Sequence, residues 1–211
     1  MAPGTQGYSE QAAELIPRYE AESFEHKHRA ELHVLPKSPG SVLDVGSGTG
    51  GDAAWLARQG HSVLAVEPTC RLREAAIALH PDPGIEWLDD SLPLLRSVRS
   101  REVKFDAIML TAVWMHLEAS ERILGMKSLA SLLGSDGVLI MSLRHGAVPQ
   151  GRRMFEVSSE ETVALAESHG LMCVLNVHTE SSQAVNRIAG VSVTWTRLAF
   201  RWQEWTTLRS R

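Results

Sequence analysis

Residues 42–68 read VLDVGSGTGGDAAWLARQGHSVLAVEP. An apolar run, Val42 to Val45, meets a loop in which Gly46, Gly48 and Gly50 alternate with Ser47 and Thr49. Asp52 to Gln59 then has helical character, Gly60 is placed to stop that helix, and HSVLAVE (61–67) is a second apolar run. The order is strand, tight turn, helix, strand. Glycine belongs where a strand bends sharply into a helix and a ligand approaches the backbone, because a Cβ would obstruct both. Gly46, Gly48 and Gly51 also satisfy G-x-G-x-x-G, so the glycines alone leave several nucleotide-like ligands open.

Carboxylates narrow the choice. Asp44 lies two residues before Gly46, at the end of the first strand, facing the ligand crevice. A negative charge there repels a pyrophosphate and suits a ligand with positive groups. Glu67 ends the second strand, where a carboxylate accepts hydrogen bonds from both hydroxyls of a ribose. Charge-assisted bonds of that kind are worth about 1.5–3 kcal/mol each. A third run, GIEWLDD (84–90), ends in Asp89 and Asp90, and an acid in that place can accept from the exocyclic amine of adenine.

The rest of the chain continues the alternation. Residues 9–35 are helical and polar, interrupted at Pro17, and the prolines at 36 and 39 make a connector. RLREAAIALH (71–80) is a second helix and KFDAIMLTAV (104–113) a fourth strand. Ala119 to Leu133 is helical, with Ile123, Met126, Leu129, Ala130 and Leu133 on one face. VLIMSLR (138–144) is a fifth strand, and Ser158 or Ser159 caps a helix with Glu160 and Glu161 in its first turn. LMCVLNV (171–177) and VSVTWTRLAF (191–200) are strands with no helix between them, so the last one pairs antiparallel with its predecessor. The expected architecture is α/β: a seven-stranded, mostly parallel sheet with helices on both faces, an antiparallel C-terminal edge strand and an N-terminal helical cap.

VLDVGSGTG, VEP, WLDDSL, FDAIMLTAVWMHL and LASLLGSDGVLIMSLR resemble, in order, the successive motifs of class I S-adenosylmethionine-dependent methyltransferases. The resemblance covers residues 40–145 and implies S-adenosylmethionine as cofactor, with S-adenosylhomocysteine as product. It implies that Asp44, Gly46 and Gly48, in a loop with Ser47 and Gly50, line the methionine part. Glu67, followed by Pro68, would hold the ribose, and Asp89 or Asp90 with Ser91 would meet the adenine. Thr111 would face the cofactor. Pro68 departs from the small or apolar residue that many members carry there.

The acceptor side offers fewer signs. In TAVWMHL, Trp114 could stack on a planar substrate or belong to the core, and His116 could be a general base or a structural imidazole at a helix start. Arg144 and His145 leave the fifth strand towards the pocket mouth as further catalytic candidates. A loop carrying Arg152 and Arg153 follows; such arginines suit an anionic or carboxylate-bearing substrate, or form a solvated basic loop. From the N-terminal helices, Tyr8 could meet the substrate, and Tyr19 and Arg18 could close on the cofactor, Arg18 on its carboxylate. His26, His28 and His33 have helical spacing but no accompanying ligand pattern, so no metal is expected.

At 211 residues the chain is expected to form one domain, with residues 1–39 as lid, 40–145 as cofactor-binding core and 146–211 as substrate-side loop and terminal strands. A net charge of −4 gives no general attraction to nucleic acid. Cys70 and Cys173 lie in no metal-ligand spacing and read as reduced thiols. The N-terminus lacks a signal-peptide core and no apolar run reaches membrane-spanning length, so a cytoplasmic protein without membrane contact, monomer or homodimer, is expected. Trp202 and Trp205 are candidates for a subunit contact. The expected reaction is methyl transfer to an oxygen or nitrogen of a small molecule. The alternatives are methylation of RNA or protein through a rim formed by Arg144, Arg152 and Arg153, and a cofactor-binding protein without catalysis.

Overall fold

The computed structural model describes residues 4–181 and 193–203, so Trp205 lies outside the described residues. In chain order the elements are α1 (Ala12–Glu20), α2 (Phe24–Lys27), β1 (Ser41–Val45), α3 (Gly51–Arg58), β2 (Ser62–Val66), α4 (Cys70–Leu79), β3 (Ile85–Leu88), α5 (Arg96–Arg99), β4 (Phe105–Leu110), α6 (Ala119–Leu132), β5 (Leu133–His145), α7 (Ser159–Glu167), β6 (Leu171–Glu180) and β7 (Thr194–Trp202). Short 3₁₀ turns occupy Leu32–Val34 and Trp114–His116.

The strands form one seven-stranded sheet in the order β3-β2-β1-β4-β5-β7-β6. β1 to β5 pair in parallel, and β7 runs antiparallel to both β5 and β6. The last strand is antiparallel, as its lack of a preceding helix implied. It inserts between β5 and β6, so β6 takes the edge.

Because side chains alternate across a strand, each strand feeds two cores. Leu43, Val45, Leu64, Val66, Ile108, Leu110, Leu139 and Met141 meet residues of α5, α6 and α7 on one face. Val42, Val63, Ala65, Ala107, Met109, Val138 and Ile140 meet Phe24 of α2 and Ala53, Ala54 and Leu56 of α3 on the other. Burial on both faces is why these strands read as unbroken apolar runs. Asp44 has the parity of Val42, so it belongs to the second face. Thr111 continues the parity of Met109, and Arg197 has that of Ala199.

Three elements differ from the sequence reading. α1 runs through Pro17, where an interruption was expected. On α6, Met126, Leu129 and Ala130 are buried as expected, but Ile123 is 56% exposed. Arg122 turns inward beside it, donating to the Leu117 carbonyl at 2.7 Å and to Glu161 of α7. β5 begins at Leu133, opposite Phe105, and shifts register before Val138 pairs with Ala107, so the strand starts earlier than the 138–144 run read from the sequence.

Leu43 is fully buried between the central strands and α5–α7. Leu43→Ala should lower unfolding free energy by about 2–5 kcal/mol in urea titrations. Ile123→Ala should stay within about 0.5 kcal/mol of the parent.

Candidate functional site

At the carboxyl ends of β1, β2 and β4 the structure encloses a cavity of about 320 Å³. The loop after β1 forms one wall. Gly46 and Ser47 donate backbone N–H bonds to the Val66 carbonyl at 2.8 and 3.0 Å, which clamps the loop to the end of β2. Gly46 has φ +72°, and a Cβ there would stand 2.5 Å from a methyl of Val113. Gly48 has φ +58° and faces open space, with only Tyr19 within 4 Å of a would-be Cβ. The N–H of Gly48 donates to Glu67 Oε2 at 2.9 Å, and that of Thr69 to Oε1 at 2.7 Å. The Thr69 side chain also acts on this carboxylate, which keeps capacity for a further donor. Burial raises the Glu67 pKa, partly offset by these bonds.

Beside this wall lies a charge network that the sequence reading did not anticipate, and its Lys27, Asp52, Thr111 and Arg197 also line the cavity. Asp52, in the first turn of α3, pairs with Lys27 Nζ at 2.6 Å and with His28 Nε2 at 2.9 Å, both from the α2 region. Thr111 at the end of β4 donates its hydroxyl to Asp52 at 3.0 Å. His28 Nδ1 lies 3.5 Å from Glu31, which also meets Arg197 of β7 at 3.2 Å. Burial favours neutral Asp52, but Lys27 and His28 outweigh it and hold the carboxyl well below its usual range. Burial also opposes charge on His28, and Asp52 carries its pKa upward regardless. Asp44 moves the other way: burial, and then the Asp52 charge, push it up to about 8.

The opposite wall is roofed by the N-terminal segment. Tyr8 Oη lies 3.0 Å from His116 Nε2, and His116 Nδ1 lies 2.8 Å from the Arg153 carbonyl. A carbonyl only accepts, so Nδ1 carries the hydrogen and Nε2 receives the Tyr8 hydroxyl proton. Burial lowers the His116 pKa, the Arg153 carbonyl partly opposes this, and Arg152, Arg144 and Arg153 add repulsion. Burial and then neighbouring Tyr19 raise that of Tyr8. The Arg152 guanidinium lies 3.7 Å over the Tyr8 ring and donates to Gln6 O and Gln11 Oε1. Gly4 fits against His116, where a Cβ would approach to 2.5 Å.

Of the residues singled out in the sequence, Gly46, Ser47, Gly48, Glu67, Pro68, Asp90, Ser91, Thr111, Tyr8, Arg18, Tyr19, His116 and Arg144 line this one cavity. Five do not. Trp114 is wholly buried in the apolar core against Gly125 of α6, which removes it from substrate stacking. His145 turns to Thr196 Oγ1 at 2.8 Å and stacks on His178, away from the cavity. Asp89 is exposed and pairs with Arg73. Gly50 caps α3 at φ +86° and makes room for Trp87, so its role is packing. Asp44 sits behind the wall, its Oδ2 buried without a hydrogen-bond partner. Asp90 accepts from the backbone N–H groups of Ser91, Ser97 and Val98, fixing the short α5. Arg153 is held by Glu121 and Glu118. Among the described residues no cluster of His, Cys, Asp and Glu is arranged to hold a metal ion, and no helix is long and apolar enough to cross a membrane.

This sheet order, with a glycine loop after β1 and an acid after β2, is the fold of the class I S-adenosylmethionine-dependent methyltransferases. Residues 12–179 match the family model described as a methyltransferase domain, and the chain belongs to that family. A TehB-like SAM-dependent methyltransferase from Corynebacterium glutamicum superposes with TM-score 0.66 at 21% identity, over 93% of this chain and 98% of that one. The 1,6-didemethyltoxoflavin-N1-methyltransferase of Burkholderia thailandensis, solved with its acceptor and S-adenosylhomocysteine, does so with TM-score 0.63 at 18% identity, over 96% and 91%. An uncharacterized methyltransferase from Oceanobacillus iheyensis is 28% identical over 149 residues, 70% of this chain and 63% of its own length. The chain thus spans less than two thirds of the curated relatives it matches.

Removing the shared partner of Lys27 and His28 leaves the half-buried Lys27 without its carboxylate and the buried His28 with Glu31 alone. Asp52→Ala should therefore cost about 3–5 kcal/mol by urea unfolding. Protease cleavage within residues 20–35 should accelerate in the same variant.

Proposed function

We propose that this chain transfers a methyl group from S-adenosylmethionine to an oxygen or nitrogen atom of a small acceptor. The observation that carries this reading is one cavity with the glycine loop and Glu67 on one wall and the Tyr8–His116 pair on the other. The residues present fit the cofactor. Gly48 leaves open space where a side chain would stand, the buried Ser47 hydroxyl has no partner among the described residues, and Glu67 retains acceptor capacity towards a ribose.

In this reading Gly46, Ser47 and Gly48 cradle the methionine part, Glu67 holds the ribose, and Asp90 with Ser91 and Pro68 borders the adenine. Arg18 and Tyr19 close over it as part of a lid formed by residues 1–39. Asp44 stands behind the wall, displaced towards its neutral form. The cofactor supplies a methyl group on a sulfonium, already activated for in-line displacement. Alignment and exclusion of water are then the protein's main tasks, and positioning alone supplies on the order of 7–11 kcal/mol.

The acceptor's proton needs a destination. Tyr8 donates its hydroxyl proton to His116 Nε2 while its oxygen takes the proton from the acceptor, leaving Tyr8 neutral and His116 as imidazolium. The Arg153 carbonyl fixes the tautomer this requires. Arginines facing into the cavity, and Arg153 bound to Glu118 and Glu121, favour a small acceptor in the cytoplasm over a polyanion lying across the surface.

Glu67→Ala should weaken S-adenosylhomocysteine binding by roughly 10–100-fold in calorimetry. Tyr8→Phe and His116→Ala should leave that affinity within about threefold and lower turnover by roughly 10²–10⁴. The His116 pKa is lowered, and the base works only when neutral. Its activity should hold across neutral pH and fall only below the ordinary imidazole value of 6.5. A limb rising through alkaline pH would assign the proton to another group.

A further inference from the structure

The sheet order separates the charges around the cavity. Glu67 and Asp90 stand at the ends of β2 and β3, whereas Arg144 stands at the end of β5. Elsewhere in the described chain, arginines drawn out of water meet carboxylates: Arg122 with Glu161 at 2.7 Å, Arg153 with Glu121 at 3.0 Å and Arg197 with Glu31 at 3.2 Å. Arg144 has no such partner among the described residues. Its side chain is half-buried and donates through Nη1 alone, to the carbonyls of Gly146 and Ala147 at 3.3 and 2.9 Å. A guanidinium has five N–H donors, so the Nε and Nη2 edge keeps its donors in hand, the edge that binds a carboxylate or phosphate through two bonds. Burial lowers its pKa, neighbouring Tyr8 partly opposes this, and the charge of Arg18 adds to the lowering.

The surroundings define what such an anion is attached to. Arg144 lies directly across from Trp195 in the β5–β7 register, and both line the cavity with Met115 and Met154. Cross-strand partners project to the same side of a sheet, so a charged anchor and a flat apolar surface stand next to each other. Arg152 is already committed to Gln6, Gln11 and the face of Tyr8. Arg18 lies on α1 over the ring of Tyr19, and the proposed function assigns it to the cofactor. We propose that Arg144 seats the carboxylate or phosphate of a flat, apolar acid whose hydroxyl or amine is the methyl acceptor, with its ring against Trp195. This rests on the methyltransferase reading given above. It adds the acceptor's charge and shape, and it separates the acceptor's anion from that of the cofactor, which belongs to Arg18.

The test titrates para-hydroxybenzoate, phenyl phosphate and neutral para-hydroxybenzamide into the full chain saturated with S-adenosylhomocysteine, using calorimetry. At least one anion should bind about tenfold or more tightly than the amide, and the stronger of the two identifies the anionic group. Arg144→Gln should weaken that anion by roughly 10–100-fold while S-adenosylhomocysteine affinity changes less than about threefold. Arg144→Lys, which keeps the charge and loses the paired donors, should fall between and serves if the glutamine variant does not fold. Equal binding of acids and amide, no binding of either acid, or full anion affinity in both variants would overturn the proposal. Failure of the parent chain to bind S-adenosylhomocysteine would overturn the methyltransferase reading itself, and this proposal with it.

Discussion

The arrangement of the site depends on one buried carboxylate. Asp52 holds Lys27 and His28 from the N-terminal segment and Thr111 from β4 while sitting in the first turn of the helix that follows the glycine loop. A charge in that position is tolerable only because its partners are buried with it, since a carboxylate alone would take a proton. Asp44, which lacks such partners, is displaced in that direction. Two acids of one type, on adjoining elements, are driven apart by which of them the cations reach. The structure thereby concentrates negative charge at Asp52 and fastens the N-terminal segment where it roofs the cavity.

Strand parity makes this possible. Asp44 and Arg197 lie in β1 and β7 and Thr111 directly follows β4, and each has the parity that points to the α2–α3 face. Shifting any of those strands by one residue would exchange its polar residue for an apolar one and bury the polar side chain in the opposite core. The register that packs the apolar faces is therefore the same register that builds the charge network. Packing and site geometry are two readings of a single constraint.

Much of this was legible in the sequence. The unbroken apolar runs gave the parallel strands, because burial on both faces leaves no polar alternation, and the glycine loop with Glu67 follows from local spacing. The α2 network was not legible, since Lys27, His28 and Glu31 meet Asp52 and Arg197 only through the fold. Asp44 was read as facing the crevice from its place at a strand end, but parity turns it to the helical face. Trp114 and His145 were chosen by residue type and strand position, and tertiary packing places both outside the cavity. Ile123 followed helical periodicity, but Arg122 takes the inward place in that turn of α6. Local pattern carries the frame, and long-range pairing decides which polar groups face one another.

β7 is the latest described strand in the chain, yet it lies between two others. β5 and β6 cannot be joined across the sheet until it arrives. It brings Trp195 to the cavity and carries Arg197 to Glu31, 166 residues away in sequence. A chain emerging in order from the ribosome can assemble the parallel half of the sheet early, but not the finished pocket. The loop closure that joins the two ends is the costliest contact and comes late. Ligand-binding competence thus reports completion of the fold, and an incomplete chain holds a glycine loop without the chamber that gives it a purpose.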